Sequence, residues 1–202
     1  MDKSDQKSSS IHELYISARE FCILSETAHE KSKFDFLSHA QKLLTLIYLK
    51  ACLLQGSDQI QDGEAEKFVQ EEDWSFIQNI IAGKIGSSDR FVEIFLPDNL
   101  EPNNIESESL SDCFADVYQD LKNFVSNYEI GNSDAVLVAM IDCLHNFENF
   151  WGPRLLSILV ALHSIINTNR AIDDDDLDTI RDSETINKSN SNNWIINQRF
   201  DQ

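Results

Sequence analysis

Leu110, Phe114, Val117, Leu121, Phe124 and Tyr128 follow one another at alternating steps of four and three residues. Only an α-helix gathers such a set onto one stripe, and a stripe this narrow is a seam against other helices. The spacing predicts a helix from about Ser109 to Tyr128, with Gly131 ending it. A chain organised around such a seam belongs to the all-α class and folds as a helical bundle.

The remaining elements follow from the same periodicity. Ser10-x-x-Glu13 reads as a capping box opening a helix through Leu14, Phe21, Cys22 and Leu24 to about His29. A second helix runs from about Lys33 to Leu54 and stops near Gly56. After the polar connector "QGSDQIQDGEAE", the stretch "EEDWSFIQNIIAGKIG" places acids in a first turn and Trp74, Ile77, Ile80 and Ile81 on one face. Gly86 is its cap. "DRFVEIFLP" fits a short helix capped by Asp89 or a lone strand; no partner strand is evident, which favours the helix. An acidic loop, "DNLEPNNIESES", comes next.

Ser133 caps a helix bearing Val136, Leu137, Met140, Leu144, Phe147 and Trp151, and at "WGPRL" it kinks or restarts because Pro153 has no N–H. The pattern resumes to Ile166. The expected architecture is one bundle domain of six or seven helices over residues 10–168. An Asn/Asp-rich tail, 169–202, is too polar to offset its ordering entropy and reads as disordered. Its end, "NWIINQRF", carries Trp194, Ile195, Ile196 and Phe200, which are able to dock on a core or a partner.

Lys50 lies inside "LLTLIYLKACLL". The run is well short of the roughly 20 residues a membrane span needs. On a helical wheel Leu43, Leu46, Ile47, Leu53 and Leu54 fall within about 60° of Lys50. The expectation is an inter-helix ion pair with Asp120, or Asp116 if the helices are rotated, since both flank the seam helix. Arg154 is a second cation on an apolar helix, with Glu148 one or two turns before it. The structural reading is a set of ion pairs fixing the bundle's register. The sharper one has Lys50, Asp116, Tyr118, Asp120, Glu148, Trp151 and Arg154 lining a pocket for a small polar or anionic ligand.

The net charge of −19, from 35 acidic against 16 basic residues, repels phosphate backbones and anionic membrane faces. Only 6 Gly and 3 Pro argue against a turn-rich β architecture. "MDKSDQKSSS" is no secretory signal, and four scattered cysteines without a C-x-x-C pair read as reduced thiols of a cytoplasmic protein.

Four stretches, "LIYLKACLL", "EEDWSFIQNII", "FADVYQDLKNF" and "NFENFWGPRLLSILVALH", resemble in that order the blocks of a bacterial family known as domain of unknown function 5063. The resemblance spans roughly Leu14 to Ile166. It implies an all-helical intracellular bacterial protein with no assigned activity and no catalytic residues to carry over. The chain departs from that pattern at Gln70, where Thr usually precedes E-E-D, and in its long tail.

No H-E-x-x-H, calcium loop, phosphate-cradling Gly loop or nucleophile elbow is present. Cys143 and His145 project to opposite sides of their helix and cannot share a metal. The sequence thus points to a non-catalytic protein working through a protein partner, without cofactor, metal, nucleic acid or membrane. The alternatives are a bundle binding a small ligand near Lys50, Asp116 and Asp120, and an enzyme using Lys50 as an amine nucleophile, which adjacent carboxylates disfavour.

Overall fold

The computed structural model describes residues 3–54, 65–94 and 106–168. The expectations for the tail, including docking by Trp194 and Phe200, fall outside the described residues. The chain divides into two compact units, Met1–His163 and Ser164–Gln202. Of the second, residues 164–168 are helical. The helical core and its polar regions belong to the first.

The fold is predominantly helical. In order come α1 (Lys3–Glu26), α2 (Lys33–Leu54), α3 (Glu71–Ile85), β1 (Phe91–Ile94), β2 (Glu106–Ser109), α4 (Leu110–Ile130) and α5 (Ser133–Asn146). A π-helical turn, Phe147–Trp151, leads into α6 (152–168). The seam helix is the hub: α4 packs against α1, α3, α5 and the π turn, and α1 packs against α2. All six seam residues but Tyr128 are buried.

α1 begins well before the expected capping box, so Ser10 is an interior helix residue. Gln70 still starts α3 without the family's usual Thr, because the Asp73 carboxylate accepts its backbone N–H at 3.1 Å. Gly86 and Gly131 close α3 and α4 with φ of +59° and +78°, a region that favours glycine. The α3 C-terminus is tied to the start of α2 by Lys33, whose Nζ donates to the Ile85 carbonyl at 2.5 Å and to Ser88 Oγ at 2.9 Å. Asn132, not Ser133, caps α5, accepting from Asp134 N at 3.0 Å.

The helix expected at Asp89–Pro97 is corrected. Phe91–Ile94 is a strand, paired antiparallel with Glu106–Ser109 in the register Phe91 to Ser109 and Ile94 to Glu106. Its partner is the polar "ESES" of the acidic loop, which shows no apolar alternation. Asp89 does cap a helix, but a distant one. Its carboxylate accepts Ser111 N at 2.9 Å and Ser111 Oγ at 2.8 Å, serving the first turn of α4 beside Ser109, whose Oγ accepts Asp112 N.

At "WGPRL" the helix continues through a π turn. Gly152 N–H donates to the Phe147 carbonyl, one residue further back than an α-helix allows. Ser133–Thr168 is the one described run long and apolar enough to cross a membrane by length and composition, and 50% of its apolar window is buried in the protein. A core helix passes the same test.

Candidate functional site

Two adjoining polar regions lie along α4, one turn apart. The first is built on Arg154, only 5% exposed. Its Nε donates to Asp116 Oδ2 at 2.8 Å and to Glu108 Oε2 at 3.0 Å, and a second nitrogen pairs with Glu108 Oε1. The guanidinium carbon sits 3.9 Å from the centre of the Phe150 ring. Trp74 Nε1 donates to the other Asp116 oxygen at 2.8 Å. Burial pushes the Asp116 carboxyl above its ordinary range, against the pull of Trp74 and Arg154. One cation thus ties α6, α4 and β2 together, and its charge is matched inside the fold.

The second region is a cavity of about 450 Å³ lined by Lys67, Val69, Gln119, Asp120, Asn123, Asn146 and Phe150. Asp120 is 8% exposed and, among the described residues, accepts one hydrogen bond, from Asn146 Nδ2 to Oδ1 at 2.7 Å. Burial pushes its carboxyl up to about 6; Asn146 and Lys67 oppose this, while Asp142 and Asp116 add to it. Asn123 Oδ1 accepts the backbone N–H groups of Phe68 and Val69 at 2.7 and 3.0 Å, and Asn127 Nδ2 donates to the Glu66 carbonyl. Two α4 amides therefore fix the segment that forms one wall. Lys67 pairs with Asp142 at 2.5 Å, both side chains substantially exposed.

The other expected site residues lie elsewhere. Lys50 pairs with Glu13 of α1 at 2.5 Å, not with Asp120 or Asp116, and its side chain is 22% exposed. Leu46 and Leu53, two of the residues that placed it in an apolar sector, are themselves exposed, so Lys50 marks the border of the core. Asp120 lines a cavity whose described wall does not include Lys50. Tyr118 donates to Glu26 Oε1 at 2.8 Å, an acceptor shared with Lys122. Trp151 is fully buried and donates to the Cys143 carbonyl at 2.9 Å, and Glu148 is on the exposed side of the π turn. Sequence periodicity gives no sign of Glu108, Asn146 or Lys67 in these regions. Only Trp74 carries a signal, as an indole needing an acceptor.

Burial pushes the thiols of Cys22, Cys113 and Cys143 up, which keeps them protonated and poor nucleophiles. Among the described residues no group of three or more His, Cys, Asp or Glu is placed to hold a metal ion.

A search of curated proteins finds no match. Among solved structures, the chain is similar to the crystal structure of protein BF1032 from Bacteroides fragilis, a structural-genomics target. The TM-score is 0.65 and the identity 28%, over 77% of this chain and 91% of that one. Residues 5–168 match the family described as Domain of unknown function (DUF5063), which includes all of α4, both polar regions and the π turn. The chain belongs to that family.

Proposed function

We propose that the protein is a non-catalytic, cytoplasmic interaction module that receives a basic amphipathic helix of a protein partner. The observation that carries this is the outer face of α2, where Leu46, Leu49 and Leu53 stand at i, i+3 and i+7, 41 to 66% exposed. Such a row matches the anchor spacing of helix-in-groove recognition. Large side chains left in water on one helical stripe mark interaction surfaces, whereas scattered ones do not. A second copy brings the same −19 charge to the contact and is repelled, while a cationic partner is drawn in. Cys52 is exposed on the same helix as a free thiol, which fits a reducing compartment. Catalysis finds little support: Lys50 is committed to Glu13 and Arg154 to Glu108 and Asp116.

The test labels Cys52 with an environment-sensitive dye and titrates in a helical peptide of leucine and lysine with one apolar face. A peptide of the same composition scrambled to have no face is the control. Saturable binding by the first alone, lost in the double variant Leu49→Glu with Leu53→Glu, is the expected outcome. Equal binding by the scrambled peptide, or a molecular mass by light scattering that doubles with concentration, overturns it.

A further inference from the structure

The cavity beside Asp120 stands apart from the α2 face and has a chemistry of its own. Among the described residues Asp120 Oδ2 accepts no hydrogen bond and the carboxylate makes no ion pair, although the residue is more than nine-tenths buried. With one neutral donor on Oδ1, the carboxylate keeps Oδ2 open to the cavity as an acceptor. The charged neighbours offset the burial of this carboxylate only in part, since Lys67 favours its charged form while Asp142 and Asp116 oppose it. Lys67, on the segment before α3, is held by Asp142 of α5; Asp116, one turn back on α4, belongs to Arg154. The rest of the wall comprises the side-chain amides of Gln119, Asn123 and Asn146, with Val69 and the Phe150 ring.

We propose that this cavity binds a small organic cation, an alkyl ammonium or guanidinium, with its charged end on Asp120 and its alkyl part against Val69 and Phe150. The acceptor without a donor selects a donor-rich ligand. The Phe150 ring, already against one guanidinium, offers an apolar and weakly negative surface to a second cation. Among the described residues the one cation on the cavity wall is Lys67, and it is paired with Asp142, which disfavours an anion there. The cavity volume lies within the range of small-molecule sites. Protonation of Asp120 removes the anchor, so binding is strong above pH 6 and fades as pH falls through that value.

The test follows the side-chain amide resonances of Gln119, Asn123 and Asn146 by two-dimensional NMR on the full chain. Butylamine and butylguanidine are titrated at near-physiological salt, with 1-butanol as the neutral isostere. Saturable shifts confined to these amides are expected from at least one cation and not from the alcohol. Affinity falls at least tenfold in Asp120→Asn, which keeps the Asn146 hydrogen bond, and stays unchanged in Glu20→Gln, which removes an exposed acid of α1 outside the cavity wall. Lowering the pH from 7.5 to 5 weakens binding in the unaltered protein. The proposal is overturned if the alcohol shifts the same amides, if Asp120→Asn binds as well, if shifts spread over the acidic surface, or if millimolar cation gives no saturable shift.

Discussion

Arg154 carries a permanent charge into a place where 5% of it remains exposed, and three partners make that tolerable. Removing such a cation leaves Glu108 and Asp116 facing each other without it. Arg154→Met is therefore expected to destabilise the protein by about 3–5 kcal/mol. Lys50→Met should lose no more than about 1 kcal/mol, because its partner Glu13 is half-exposed and solvent screens the pair. Urea melts of the two variants decide it, and equal losses contradict the assignment of Arg154 as the core cation. At this scale the sequence misleads in an instructive way. The wheel centres Lys50 in an apolar arc, but that arc joins two surfaces. Phe36, Ala40, Ile47 and Ala51 face the core, while Leu46, Leu49 and Leu53 face water. Periodicity reports apolar character, not burial, so a residue at the seam between the two surfaces looks central. Asp116 and Asp120 are legible because they flank a strictly periodic helix. Asn146 is not, since nothing local marks an amide that will donate to a carboxylate on another helix.

The π turn decides where Arg154 points. An extra residue in the turn rotates everything after it by about 100° relative to a continued α-helix. Ideal geometry through Gly152 puts Arg154 on the side of Met140 and Trp151; the observed turn delivers it to α4. Glycine is what permits this, because a Cβ built on Gly152 lies 2.2 Å from the Phe147 carbonyl oxygen. Backbone cannot yield as a side-chain tip does, so Gly152→Ala should destabilise by roughly 1–3 kcal/mol. Gly83 of α3 is the matched control, with nothing within 4 Å of its Cβ position. Gly83→Ala should stabilise by about 0.5–1 kcal/mol through higher helix propensity. Thermal melts moving in opposite directions for the two changes are the expected result; a neutral Gly152→Ala means the turn tolerates a side chain. The helices are legible from short-range periodicity, which needs no knowledge of neighbours. The hairpin is not, since "ESES" becomes a strand only through its pairing with Phe91–Ile94 and its Glu108 contact with Arg154.

For the molecule as a whole, charge is the dominant long-range property. The net value is −19, and several of the basic side chains are already engaged within the fold. Lys50, Lys67, Lys122 and Arg154 pair with carboxylates, and Lys33 and Lys84 donate to backbone carbonyls at helix ends. Nucleic-acid binding requires cations arrayed to displace condensed counterions, and its affinity falls steeply with salt as they are counted. Here pairing with carboxylates removes the array, and the surrounding acids repel phosphate over about a Debye length, roughly 10 Å at 0.1 M salt. The protein is therefore expected to give no saturable shift of DNA or RNA in a gel assay, even at low salt, where such binding is strongest. Saturable binding at micromolar protein would mean that a basic surface is assembled despite the overall charge. The same field that excludes polyanions raises the local concentration of small cations at the cavity beside Asp120, so the two behaviours have one electrostatic origin. High salt should weaken the second by screening long-range attraction, and it cannot create the first, because screening lessens repulsion without supplying the missing cations.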